Sequence, residues 1–136
     1  MTLSALLIIA ALAQPQTCAV PLANVVIHDG DSLRADLNLS FGLTIRDKPI
    51  RAAGFDAPEI NRTRRTVNVT PLEIERGKLA KAALEELFAQ GTPFAEDAQK
   101  QDPYGRVLAY LWVRTKDGRW IDVAAEMRRK AHTREP

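Results

Sequence analysis

Apolar and polar residues alternate from Ser32 to Leu39 (SLRADLNL), the period-two pattern of a strand with one buried face. A shorter apolar run, Asn24 to His28 (NVVIH), precedes it across the turn Asp29-Gly30-Asp31. Ser40-Phe41-Gly42 turns the chain into a third strand, Leu43 to Ala53, with a charged interruption at Arg46-Asp47-Lys48. Gly54 to Val69 is a loop rich in Arg, Thr and Asn. The period then changes. Leu79, Ala80, Ala83, Leu84, Leu87 and Phe88 recur at helical spacing. Thr70-Pro71-Leu72-Glu73 combines a capping box with Pro at the first helical position, and Gly91 is the expected C-terminal stop. Thr92 to Ala95 predicts a short strand, and Val107 to Val113 (VLAYLWV) a buried one. Lys116-Asp117-Gly118-Arg119 is a hairpin turn after which Trp120-Ile121 pairs back. Asp122 caps a last short helix, Val123 to Ala131, with a basic tail.

Three strands, a helix, two strands and a helix, without internal repeat or linker, fit a β-rich α+β fold. The simplest architecture is a five-stranded OB-fold barrel with two or three packed helices, forming a single domain over residues 19–136. OB-folds commonly bind nucleic acids.

The first residues change this picture. Leu3 to Ala13 is apolar but for Ser4, and no charged residue occurs before Asp29. The run is shorter than the ~20 residues of a membrane-spanning helix. It resembles the apolar core of a secretory signal, with Ala11-Leu12-Ala13 as the cleavage site before Gln14, although no Lys or Arg precedes it. Residues 1–18 are therefore expected to be a signal peptide or N-terminal anchor. The mature protein would be secreted or periplasmic. The alternatives are a cytoplasmic chain, or one held at a membrane because the segment stays uncleaved.

Composition is that of an ordinary globular chain, with 136 residues, 46% hydrophobic and 26% charged. A net charge of +2 permits an anionic partner without demanding one. Cys18 is the single cysteine, so no internal disulfide and no cysteine-based zinc site can form. With two histidines far apart, any metal would be held by oxygen, which points to calcium or magnesium.

Three clusters at strand ends can carry chemistry: Asp29-Gly30-Asp31, the stretch RAAGFDAPE (Arg51 to Glu59), and DPYGR (Asp102 to Arg106). Two carboxylates brought together, such as Asp31 and Asp56, repel unless a cation joins them. A planar guanidinium matches two oxygens of a phosphodiester in a fork that a lysine cannot form, which makes Arg51 and Arg106 candidates for a phosphate clamp. Glu59 is the candidate to position or deprotonate a water. Singly, each residue is as readily a turn acid or a surface ion pair.

Together, the strings DGDS, RAAGFDAPE and DPYGRVLAY, in that order, resemble the staphylococcal-nuclease-like (thermonuclease) family. The resemblance extends over about Asn24 to Ala131. It implies the OB-fold and a phosphodiesterase acting on DNA, RNA or both. It also implies Ca²⁺ as cofactor, on Asp31, Asp56 and the backbone carbonyl of Ala57, with Arg51 and Arg106 on the phosphate, Glu59 as general base and Tyr104 on a substrate phosphate. At the position after Asp56 the family often has Thr, and Ala57 keeps the carbonyl while losing the hydroxyl. Two departures lie at the C-terminus: Arg129 stands where a Gly is usual, and the chain leaves little length for a third helix.

Arg62, Arg64 and Arg65, in the loop beside the expected site, either track the nucleic-acid backbone or form a solvated surface. Trp112, Trp120 and Tyr110 are expected in the core rather than as base-stacking platforms, because they lie in or beside the apolar strand. The overall expectation is a monomeric, calcium-dependent endonuclease without a stable protein partner. The rival is an OB-fold module that binds nucleic acid without cutting it.

Overall fold

The computed structural model describes residues 13–61 and 68–134. Strands β1 (Ala19–Asp29), β2 (Ser32–Asn38) and β3 (Thr44–Ala52) form an antiparallel meander. Helix α1 (Pro71–Phe88) follows, then β4 (Gly91–Gln101), β5 (Val107–Thr115), the short β6 (Trp120–Asp122) and helix α2 (Val123–Arg129). The hydrogen-bonded order is β3-β2-β1-β4-β5-β6, and β3 also pairs in parallel with β5. That last pairing closes β1 to β5 into a five-stranded mixed barrel, as expected of an OB-fold. β6 adds one further strand outside it, where Trp120-Ile121 pairs back on β5 as the hairpin signal predicts.

The core lies where the barrel meets the two helices. Leu33 and Ile50 from the meander, Leu84 from α1, Val113 from β5, and Val123 and Met127 from α2 are essentially sealed from solvent. The alternation in β2 behaves as read: Leu33, Ala35 and Leu37 point inward and their neighbours are partly exposed. Thr70 caps α1 by accepting the Glu73 N–H at 3.1 Å, and Asp122 caps α2 by accepting from Ala125 at 3.2 Å.

Several boundaries differ from those read along the sequence, each for a local reason. β1 begins five residues earlier than Asn24. Asn24 itself sits at φ 50, inside a register shift that hides the continuity of the strand. The charged interruption in β3 is a similar irregularity, with Asp47 at φ 52 and its N–H held by Asp36 at 2.8 Å. β4 runs to Gln101 rather than Ala95. Its polar half (EDAQKQ) has little strand propensity and is held by pairing with β5 around a bulge at Asp97, φ 59. Gly91 is not a helix stop. It is the first residue of β4, and a Cβ there would lie 1.9 Å from the Arg114 carbonyl oxygen on β5. On α1, Leu79 faces solvent while Gly77 is buried.

The chain before β1 is also tied to the barrel. The Glu96 carboxylate, buried on β4, accepts the backbone N–H groups of Gln16 and Thr17 and the indole N–H of Trp112. Asp97 donates its N–H to the Cys18 carbonyl at 3.2 Å. The residues before Ala13, and Arg62, Arg64 and Arg65, lie outside the described residues.

Candidate active site

The site is built by barrel closure. Arg51 on β3 stands opposite Ser32 on β2 and opposite Leu108 on β5. Ala52 donates to the Asp31 carbonyl at 2.8 Å, and Ala53 to the Ala109 carbonyl at 2.7 Å. The turn after β1, the end of β3 and the start of β5 therefore meet at one end of the barrel. Each carries one of the three clusters.

Asp31 is buried there. Its Oδ2 accepts the Ala57 N–H at 2.7 Å and lies 3.3 Å from Arg51 Nη2. The same Nη2 contacts Asp56 Oδ1, so the two carboxylates converge on one guanidinium nitrogen. Arg51 Nη1 donates to the carbonyls of Ala52 at 2.6 Å and Phe55 at 3.1 Å, which folds the loop 52–56 around its head. Burial, together with the hydrogen bond that a protonated Asp31 donates to the neighbouring Asp29 carboxylate, pushes Asp31 up to about 7, while Arg51 pulls it the other way. A carboxylate this poorly solvated calls for positive charge. Asp29 in turn shapes the turn: its Oδ1 accepts the Asp31 N–H at 3.1 Å and the Ser32 hydroxyl at 2.8 Å.

Two glycines make this convergence possible, neither by a special φ. A Cβ on Gly30 would lie 2.7 Å from Ala57 Cβ and 2.8 Å from Ala80 Cβ, so the first turn packs directly on the DAPE loop and on α1. A Cβ on Gly77 would lie 2.4 Å from the Glu59 carbonyl oxygen and 2.8 Å from that of Pro58. The backbone of Pro58-Glu59 thus rests on the bare face of α1. Glu59 is half-buried. Burial first, and the Asp29 charge second, push its carboxyl above the usual range, while Arg134 and Arg51 oppose this.

The DPYGR turn is pinned by its own aspartate. Asp102 Oδ1 accepts the N–H groups of Tyr104 at 2.9 Å and Arg106 at 2.8 Å, and Oδ2 accepts Arg106 Nε. Burial raises the Asp102 carboxyl, but these hydrogen bonds outweigh it and hold it below the usual range. Gly105, at φ 81, supplies the left-handed corner. The Arg106 head lies 5.7 Å from the Tyr104 ring centre.

Arg51, Asp56, Asp102, Tyr104 and Arg106 line an open cleft of 640 Å³, together with Leu108 and Tyr110. The cleft brings the two arginines together with one of the two expected metal ligands, and Arg51 links it to Asp31 behind. A family model described as staphylococcal nuclease homologue matches residues 49–132 of the chain.

The chain belongs to the staphylococcal nuclease homologue family. The match takes in Arg51, Asp56, Glu59, Tyr104 and Arg106 and begins after Asp31. Nucleic acid is thus the partner of this staphylococcal nuclease homologue, as substrate or as bound ligand. A search of curated proteins found no match.

Three features of the site differ from what the sequence predicts. Tyr110 is not core: it is 47% exposed and forms one wall of the cleft. Trp112, by contrast, is buried as expected, with Trp120 partly buried in edge-on contact with it. Gly30 and Gly77 carry the site's packing, and only a buried mid-helix glycine, unfavourable by about 1 kcal/mol relative to Ala, hinted at the second. The C-terminal segment braces the site although no third helix is present among the described residues. Arg128 Nη1 donates to the Gly54 carbonyl at 2.6 Å, the Arg134 N–H to the Asp56 carbonyl at 2.7 Å, and Arg134 pairs with Glu73 at 2.8 Å.

Among the described residues no three His, Cys, Asp or Glu side chains cluster as a ready metal cage. The chemistry of the donor set nonetheless fits a hard divalent cation: two carboxylates, one of them poorly solvated, beside the Ala57 backbone, with no nitrogen or sulfur ligand. In this arrangement Arg51 bridges the acids. Asp56, with a side chain 70% exposed, is the partner free to turn away from it.

Proposed function

We propose that this staphylococcal nuclease homologue is a calcium-dependent endonuclease that hydrolyses phosphodiesters of DNA, RNA or both. The observation that carries this reading is the β3–β5 pairing, which brings Arg51, Asp56 and Arg106 into the lining of one open cleft, with Asp31 joined to it through Arg51.

Asp31, Asp56 and the Ala57 carbonyl would hold the calcium ion, which when bound neutralises charge on the scissile phosphate. Arg51 and Arg106 donate N–H groups to the non-bridging phosphoryl oxygens, where charge accumulates as the attacking oxygen adds. Glu59 accepts one proton from the attacking water as its oxygen bonds to phosphorus. The opposite P–O ester bond breaks, and solvent protonates the leaving oxygen. The upward push on Glu59 suits this task, because a base closer to the working pH transfers protons more effectively. Asp102 positions Arg106 through Nε, so that the two terminal nitrogens are the donors offered to substrate. We also propose export: the apolar run up to Ala13 supports it, and N-terminal sequencing of the mature protein, expected to begin at Gln14, tests it.

The catalytic reading is tested by digestion of plasmid and single-stranded DNA by the chain starting at Gln14. Calcium, magnesium and a chelator are compared, with Glu59→Gln and Arg106→Ala alongside. Cutting should require calcium and fall by on the order of 10²–10³ in the Arg106→Ala variant, the usual effect of removing one preorganised donor. A chain that retards DNA on a gel but cuts it with neither metal is a binding module, and activity that survives both substitutions overturns the residue roles.

A further inference from the structure

Along β5 the side chains alternate. Val107, Ala109 and Leu111 are buried in the barrel, while Leu108 and Tyr110, in line with Arg106 just before the strand, line the cleft. The cleft therefore has polarity: a cationic end at Arg106 and Tyr104, an apolar step at Leu108, and an aromatic wall at Tyr110. At about 3.4 Å per strand residue, Arg106 and Tyr110 are ~14 Å apart along β5.

The Tyr110 ring is seated and yet open. A Cβ on Gly54 would lie 3.3 Å from its Cε1 and 3.6 Å from Cδ1, so the glycine, itself held at φ 92, makes room for the ring. That corner of the loop is fixed from outside by the Arg128 bond to the Gly54 carbonyl. About half of Tyr110 nonetheless faces solvent, on a strand whose neighbouring residues Ala109 and Leu111 are sealed. A flat apolar face, preoriented beside a phosphate clamp, suits a nucleobase.

We infer that Tyr110 is a specificity-determining residue that stacks an unpaired base of the substrate, on a nucleotide displaced from the one whose phosphate lies between Arg51 and Arg106. This rests on the nucleic-acid reading of the cleft. A stacked base must leave its own helix, so the contact discriminates against paired DNA at that position.

The test uses short labelled single-stranded oligonucleotides, intact or carrying one abasic position moved stepwise past the cut site. Wild type is compared with Tyr110→Phe, which keeps the ring, and Tyr110→Leu, which keeps an apolar filling against Gly54. Tyr110→Leu should raise KM by between about five- and 150-fold at nearly unchanged kcat, the range of one lost base stack. Tyr110→Phe should behave as wild type. An abasic site at one position should raise KM of the wild type by a similar factor and leave Tyr110→Leu unaffected. An unchanged KM in Tyr110→Leu overturns the inference, as does an abasic penalty equal in both proteins. If wild type cuts nothing, fluorescence anisotropy of the same oligonucleotides gives Kd in place of KM. The same pattern in Kd then upholds the Tyr110 contact while the nuclease reading fails.

Discussion

Gly77→Ala separates helix chemistry from site packing, because the two act with opposite sign. In an isolated helix the substitution stabilises by about 0.8–1.0 kcal/mol. Here the new methyl would sit 2.4 Å from the Glu59 carbonyl oxygen and 2.7 Å from its carbonyl carbon, both backbone atoms, whereas ordinary contact begins near 3.4 Å. The Pro58-Glu59 segment must retreat from α1 by roughly 1 Å, given that shortfall. Overpacking of this kind costs ~1–3 kcal/mol, so after the helix gain the net loss is about 0–2 kcal/mol. Activity is the sharper readout. Misplacing a reacting group by ~1 Å can cost on the order of 10² in rate, and the displaced residue is the proposed base. Urea denaturation alongside calcium-dependent hydrolysis of single-stranded DNA gives both numbers. A Gly77→Ala protein that gains ~1 kcal/mol and keeps full kcat would show that the Glu59 loop does not depend on the bare helix face.

Two further predictions concern stability. The Glu96 carboxyl is raised by burial but lowered more by hydrogen bonds from Thr17, Trp112 and Gln16, so it lies below its usual range in the folded protein. Its contribution is therefore complete above the unfolded value of about 4.3 and is lost as pH falls through the lower folded value. Glu96→Gln must turn an amide N–H₂ toward one set of donors; it should cost about 1–3 kcal/mol at pH 7 in urea denaturation and flatten the acid side of the stability curve, and an unchanged curve would count against the anchor. Ala131, at φ 59, ends α2 in the left-handed corner where glycine is favoured, with the His132 N–H on the Met127 carbonyl at 2.8 Å and its own N–H on that of Arg128 at 3.1 Å. Relief of ~1–2 kcal/mol of backbone strain, less ~0.4–1 for the looser unfolded chain, means Ala131→Gly should stabilise by roughly 0–1.6 kcal/mol, and a lower melting temperature would refute this.

What could be read along the chain was whatever short-range chemistry dictates. The alternation in β2, the Thr70 cap and Pro71 start of α1, the Asp-Gly hairpin before β6 and the Asp122 cap of α2 each depend on residues within a few positions of one another. The strings around Asp31, Arg51 to Glu59, and Asp102 to Arg106 stood out through their joint resemblance to the staphylococcal-nuclease-like family, since each alone is as readily a turn or a surface ion pair. Strand lengths were less so: β1 and β4 continue past bulges at Asn24 and Asp97, where pairing with a distant strand outweighs local propensity. Only the tertiary structure decided how the three loops meet, through the parallel β3–β5 closure. It alone revealed that Gly30 and Gly77 are required by close approach rather than by φ, that Glu96 anchors the N-terminal segment, and that Tyr110 faces the cleft. Each of these depends on which surfaces come within van der Waals distance once the barrel closes, a property of residues up to 80 positions apart that no local pattern records.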